Sequence, residues 1–154
     1  MSINFRICAE SDLVVVREYV NSLYQEDPPG QKMNVDKFDR TFWEFTSKPD
    51  KGQIVVFDLD DLVVGYAIIV FYWSNEYGGD LIEVDELFVR KADRGHRIAT
   101  MFFEWLKQTW QQKAVALSIQ VTPTNDLALN LYQRLGFETS KNRHLLKLLP
   151  PNTD

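Results

Sequence analysis

Val84-Asp-Glu-Leu-Phe-Val-Arg-Lys-Ala-Asp-Arg-Gly-His-Arg-Ile-Ala99 decides how this chain of 154 residues is read. An apolar strand runs into a basic loop containing Gly95. The loop leads to Ile98, Phe102, Leu106 and Trp110, apolar residues at helical spacing. A helix entered this way turns free backbone N–H groups toward whatever lies above its first turn, and such an arrangement binds phosphate. Arg90, Lys91, Arg94 and Arg97 bring four positive charges to a chain whose net charge is −5. Local positive charge on an acidic protein points to a phosphorylated small molecule and away from long nucleic acid.

Upstream, residues 4–8 read as a short first strand. Ser11 is placed to cap a helix over residues 11–25, with Leu13, Val16, Val20 and Leu23 on one face. Glu26-Asp-Pro-Pro-Gly30 ends it. Asn34 or Asp36 opens a second helix with Phe38, Phe42 and Phe45 on one side. After a turn at 48–52, residues 54–59 and 62–73 read as a hairpin about Asp60-Asp61. A turn at 76–80 leads to a strand over 81–89. Downstream, a helix over 96–112 precedes a strand over 114–121 and a short helix over 126–135, closed by Gly136. Phe137 begins a terminal hairpin whose second arm is 145–149. This order predicts one α/β domain over residues 1–154, a mixed sheet with helices on both faces. Strands 81–89 and 114–121, joined by a helix, should be parallel.

Composition narrows the class. A hydrophobic content of 45% and a charged content of 25% are those of an ordinary globular protein. Cys8 is the single cysteine, so no intrachain disulfide forms and a reducing, cytoplasmic setting is expected. The N-terminus lacks a basic segment followed by an apolar one, so no secretory signal is expected. No apolar run approaches the roughly 20 residues of a membrane span. Two histidines and one cysteine make no zinc cluster. Neither a Gly-Lys-Ser/Thr phosphate loop nor a Gly-x-Gly-x-x-Gly fingerprint is present, which argues against nucleotidase and dinucleotide folds.

With this element order, the chain resembles the GNAT superfamily of N-acetyltransferases. That family opens its pyrophosphate-binding helix with Gln or Arg, two residues, Gly, one residue, then Gly or Ala. Arg94-Gly95-His96-Arg97-Ile98-Ala99 matches at Arg94 and Ala99, and Arg97 stands where the Gly is usual. A second signature follows at Asn125, Ala128, Leu131-Tyr132 and Gly136-Phe137. The resemblance implies acetyl-coenzyme A as cosubstrate, with no metal. It implies contacts from Leu87, Phe88, Val89, Arg94, Gly95, His96, Arg97, Ile98, Ala99, Thr100, Asn125, Ala128 and Tyr132. Leu87 and Val89 would contribute through main chain, where the strand splays from its neighbour. At the first turn of a helix a non-Gly residue is conformationally easy. A guanidinium beside a diphosphate is favourable, so Arg97 is expected to preserve binding.

Amine acetylation needs a neutral amine, a polarised thioester and a stabilised leaving thiolate. In the resembled family a Tyr at the place of Tyr132 lies near the coenzyme A sulfur. Asn125, Ala128 and Tyr132 share one helix face. Glu83 and Asp85, two apart, project to one face of their strand and are candidates to deprotonate the amine. Ile82, Val84 and Phe88 suit the opposite, buried face, and Glu86 joins the acids only if a bulge reverses the alternation.

The acceptor region reads as acidic and aromatic: Glu26 and Asp27, then Trp73, Glu76 and Tyr77. Such a surface suits a small cationic amine: a polyamine, a lysine-like amino acid or an aminoglycoside. The alternatives are a non-catalytic acyl-coenzyme A binding module and a protein N-acetyltransferase. The apolar stretch 145–149 is a candidate surface for a homodimer.

Overall fold

Ile54-Val-Val-Phe57 and Tyr66-Ala-Ile-Ile69 are buried at every position. Strands without an outward face need a covering layer on both sides, and the sequence supplies helices for each. The computed structural model describes residues 2–151. Its strands are β1 (Ile3–Ile7), β2 (Gly52–Leu59), β3 (Leu62–Ser74), β4 (Gly79–Val89) and β5 (Ala114–Ile119). They form one sheet in the order β1-β2-β3-β4-β5, antiparallel except for the parallel pair β4–β5. The helices are α1 (Leu13–Glu26), α2 (Val35–Ser47), α3 (Ile98–Trp110) and α4 (Asp126–Arg134).

The core has two layers. Val16, Val20, Phe38 and Phe42 of α1 and α2 pack on Ile54, Val56, Tyr66 and Ile68. The alternate strand residues Val55, Phe57, Ala67 and Ile69 meet Ile98, Phe102, Phe103 and Leu106 of α3, with Tyr132 of α4. The β2–β3 turn puts both Asp60 and Asp61 at positive φ, 51° and 68°, the geometry of a two-residue hairpin whose twist matches its strands.

Two local expectations change. Ser11 does not cap α1; it lies in a 3₁₀ turn over Glu10–Asp12, and Asp12 takes the capping position. The expected terminal hairpin, with both its arms, is not formed: residues 138–151 carry no strand, and Leu145, Leu146, Leu148 and Leu149 are exposed. Residues 138–144 are polar throughout, so the first arm has no apolar face to hold it against the sheet.

Asp12 is 8% exposed and accepts from Arg6 Nη1 at 2.8 Å, Arg6 Nη2 at 3.0 Å and the Ala9 N–H at 2.8 Å. The Arg6 guanidinium holds its carboxyl below the usual carboxylate range. A depressed acid stabilises the fold above its unfolded value of about 4, and the gain is lost as pH falls through the lower folded value. Asp12→Asn is expected to lower stability in urea by about 2 kcal/mol at neutral pH. The gap from the parent protein should close in acid.

Candidate active site

The central irregularity of the sheet is in β4. Glu86 pairs with Ile68 and Val84 with Ile69, so Asp85 is an extra residue, a bulge. Before it, Ile82 and Val84 face α3. After it, Phe88 packs in the other layer, against Tyr19 of α1 and Tyr66. Phe88 therefore does not share a face with Ile82 and Val84, as strict alternation predicts. Glu86 turns with Phe88 toward α1.

There Glu86 Oε2 accepts from the Tyr24 hydroxyl at 2.6 Å and Oε1 from the Tyr66 hydroxyl at 2.8 Å. Burial pushes the Glu86 carboxyl above its ordinary value, and the two phenol hydrogen bonds oppose that rise. Burial also lifts Asp85, helped by the charge of Glu83. Asp85 is open to the water of the groove it lines, yet the surrounding protein mass still desolvates its charge. Glu83 accepts from Gln120 Nε2 at 2.9 Å across the β4–β5 pair. Tyr24 and Tyr66 were not legible as site residues: each is remote in sequence from Glu86, and nothing local marks the contact.

Pairing between β4 and β5 ends at Val84 and Ile119. Beyond that point β4 has β3 on one edge and an open groove of about 1310 Å³ on the other. Leu87, Phe88 and Val89 line it, with the β5–α4 loop and α4 as the facing wall. The splay expected from sequence is present and begins two residues earlier than the Leu87-Phe88-Val89 segment.

One end of the groove is the loop before α3. Arg94 donates through Nε to the Val89 carbonyl at 2.8 Å and through Nη2 to Glu26 at 2.8 Å, with its guanidinium 5.3 Å from the Phe88 ring centroid. Gly95 has a φ of +84° and open space where a Cβ would stand. Arg97 is the N-cap of α3 with a φ of +63°, in the left-handed region. The expectation that Arg97 sits easily in the first turn is thus corrected: the usual Gly belongs to a left-handed position. A non-Gly residue there costs about 1–2 kcal/mol. No side chain caps this helix, so the N–H groups of Ile98, Ala99 and Thr100 face the groove that these residues line. His96 lies in the same loop with Nδ1 3.1 Å from the Asp93 carbonyl.

The facing wall carries Tyr132. It is 9% exposed, and its ring packs edge-on against Phe103 and Phe137. Burial, then the charge of Asp27, pushes its phenol up to about 12. Tyr19 shows the structural alternative, donating to the Val63 carbonyl at 2.7 Å. Asn125 caps α4, its Oδ1 accepting from the Ala128 N–H at 3.1 Å. Asn125, Ala128 and Tyr132 all line the groove.

The residues expected at the acceptor divide. Glu26 and Asp27 line the groove, but Glu26 is paired with Arg94, and Asp27 accepts from Thr122 and from Asn125 Nδ2. Trp73, Glu76 and Tyr77 do not line it. They sit at the far end of the β3–β4 hairpin, where Trp73 pairs with Asp80. At about 3.3 Å per residue that turn lies roughly 20 Å from Glu86 along β4.

A model of the acetyltransferase (GNAT) family matches residues 17–137. The chain belongs to this family. Among solved structures, this GNAT protein is similar to a possible acetyltransferase from Clostridium difficile 630, with a TM-score of 0.82 at 20% identity over 97% of this chain and 100% of that one. An integron cassette protein from the mobile metagenome of Cole Harbour Salt Marsh matches at 29% identity and a TM-score of 0.78, over 96% and 91% of the two chains. The aminoglycoside N-acetyltransferase AAC(6')-Iy, solved in complex with CoA, matches at 15% identity and a TM-score of 0.76, over 96% and 95%. No curated protein matches the sequence. Among the described residues no helix is long and apolar enough to cross a membrane.

Proposed function

We propose that this protein transfers an acetyl group from acetyl-coenzyme A to a primary amine of a small cationic acceptor, by direct attack in a ternary complex. One observation carries the reading: a single groove joins an uncapped helix start and basic loop to a cluster of carboxylates, with Tyr132 on the wall between. A diphosphate fits the first end. Arg94, Arg97 and the N–H groups of Ile98, Ala99 and Thr100 supply positive charge and donors, and Gly95 leaves room for a close approach.

When bound, acetyl-coenzyme A supplies an acyl thioester. Asp85 receives the proton of the incoming ammonium, because among the described residues nothing donates to its carboxylate and its basicity is raised. Glu86 holds the amine; its two phenol donors fix its orientation and restrain its basicity. Backbone N–H groups along the free edge of β4 near Leu87 and Val89 face the developing oxyanion. Tyr132 keeps its proton at neutral pH and offers it to the departing sulfur. A pure binding module needs neither Tyr132 nor the bulge carboxylates.

Calorimetry with acetyl-coenzyme A and an acetylation assay over polyamines, lysine-like amino acids and aminoglycosides test this. Binding is expected, with a raised melting temperature through linkage. Arg94→Glu is expected to weaken binding about tenfold or more by placing negative charge near the phosphates. No binding at millimolar ligand, or no turnover of any amine, overturns the proposal.

A further inference from the structure

Asp27 closes α1, its N–H donating to the Leu23 carbonyl at 2.9 Å. Its side chain then crosses to the opposite wall of the groove. One carboxylate oxygen accepts from the Thr122 hydroxyl and the other from Asn125 Nδ2 at 2.9 Å. Asn125 spends its remaining amide oxygen on the Ala128 N–H, the first turn of α4. A chain of hydrogen bonds thus runs from the end of α1, through Asn125, into the helix that carries Tyr132. Its neighbour Glu26 holds Arg94 on the other lip. The two acids therefore tie both lips of the groove where the β4–β5 ladder has ended and no sheet hydrogen bonds fix the spacing.

Both oxygens of Asp27 are engaged by donors, so it is poorly placed to receive an acceptor amine. We propose that Asp27 is a positioning residue for acyl transfer: through Asn125 it sets the placement of α4, and with it the Tyr132 hydroxyl, across the open groove. This rests on the acyl-transfer reading above. The upward shift of the Tyr132 phenol, to which Asp27 contributes after burial, is consistent with it.

The test is a double-mutant cycle. Asp27→Asn keeps the shape and removes the charge, and it puts an amide against Asn125. With the best amine found, Asp27→Asn is expected to lower kcat about tenfold while KM for acetyl-coenzyme A moves less than about twofold. Its kcat should also decline at a lower alkaline pH than that of the parent protein. In a Tyr132→Phe background the same change should cost less than about twofold, because its effect passes through the lost hydroxyl. Asp27→Ala repeats the cycle if the amide misfolds the loop, and urea unfolding reports that directly. A full tenfold loss in both backgrounds, or an unchanged kcat in Asp27→Asn, overturns this assignment and leaves acyl transfer standing. A parent protein that acetylates no amine overturns both.

Discussion

Tyr132→Phe is expected to lower kcat by about 10²–10⁴-fold, the range lost with a general acid. The ring lies between Phe103 and Phe137, and Phe fills the same space, so folding should be unaffected. Affinity for acetyl-coenzyme A should stay within about twofold, since only the hydroxyl is lost and its contribution is made in the transition state. At about 12, the phenol stays protonated through the whole working range, as an acid must. The parent protein should therefore keep its rate well into alkali. Turnover of Tyr132→Phe at the parental rate, with chemistry limiting, overturns the role. The sulfur would then depend on water or backbone alone.

Asp85→Asn is expected to cause a loss of similar size, about 10²-fold or more near neutral pH. The loss should shrink as pH approaches the amine's own pKa of about 10, where free amine no longer needs a base. In the parent protein kcat/KM should fall on acidification with a midpoint above the usual carboxylate value, because burial and Glu83 raise Asp85. The same shift has a stability consequence of opposite sign to that at Asp12. An acid raised in the folded state destabilises the fold as pH climbs from the unfolded value to the folded one, and the deficit persists at neutral pH. Asp85→Asn removes that deficit. Its melting temperature at pH about 7 should exceed the parental one, and the difference should vanish in acid below both values. Glu86→Gln should instead raise KM for the amine, since the amide keeps only one of the two oxygens to which Tyr24 and Tyr66 donate and the group loses its set orientation. If Asp85→Asn keeps full activity and Glu86→Gln does not, the roles are exchanged.

The layers of this fold were legible because periodicity reports burial. Leu13, Val16 and Val20 face the core as their spacing predicts, and so do Phe38 and Phe42. The basic loop was legible because charge density and Gly95 mark it locally. Other features were written in backbone geometry that side-chain types do not record. The bulge at Asp85 adds one residue without changing composition, so the face of Glu86 could be stated only as a condition, and Phe88 was placed with Ile82 and Val84 when it packs in the other layer. The clasp of Glu86 by Tyr24 and Tyr66 joins residues 62 and 20 positions apart. Arg97 was read as an ordinary first-turn residue because its left-handed φ leaves no trace in its identity. The terminal leucines looked like a strand because they are apolar, but an apolar segment becomes a strand only with a paired partner.

The bulge also divides β4 into two segments of opposite phase. Substituting Asp85 leaves that phase intact, whatever residue is used. Straightening the bulge at constant length does not: regular pairing through Asp85 would continue the alternation of Ile82 and Val84, and the carboxylate of Glu86 would rotate from its two tyrosines into the layer built by Phe57, Phe102 and Leu106. Phe88 would leave its place against Tyr19 in the same rotation. Deleting Asp85 outright would instead join Val84 to Glu86 on adjacent rungs and keep both on the faces they hold, so the strand depends on where its pairing breaks and not on the length of the break. A relative that lacks the extra residue should therefore still turn the acid after Val84 toward α1.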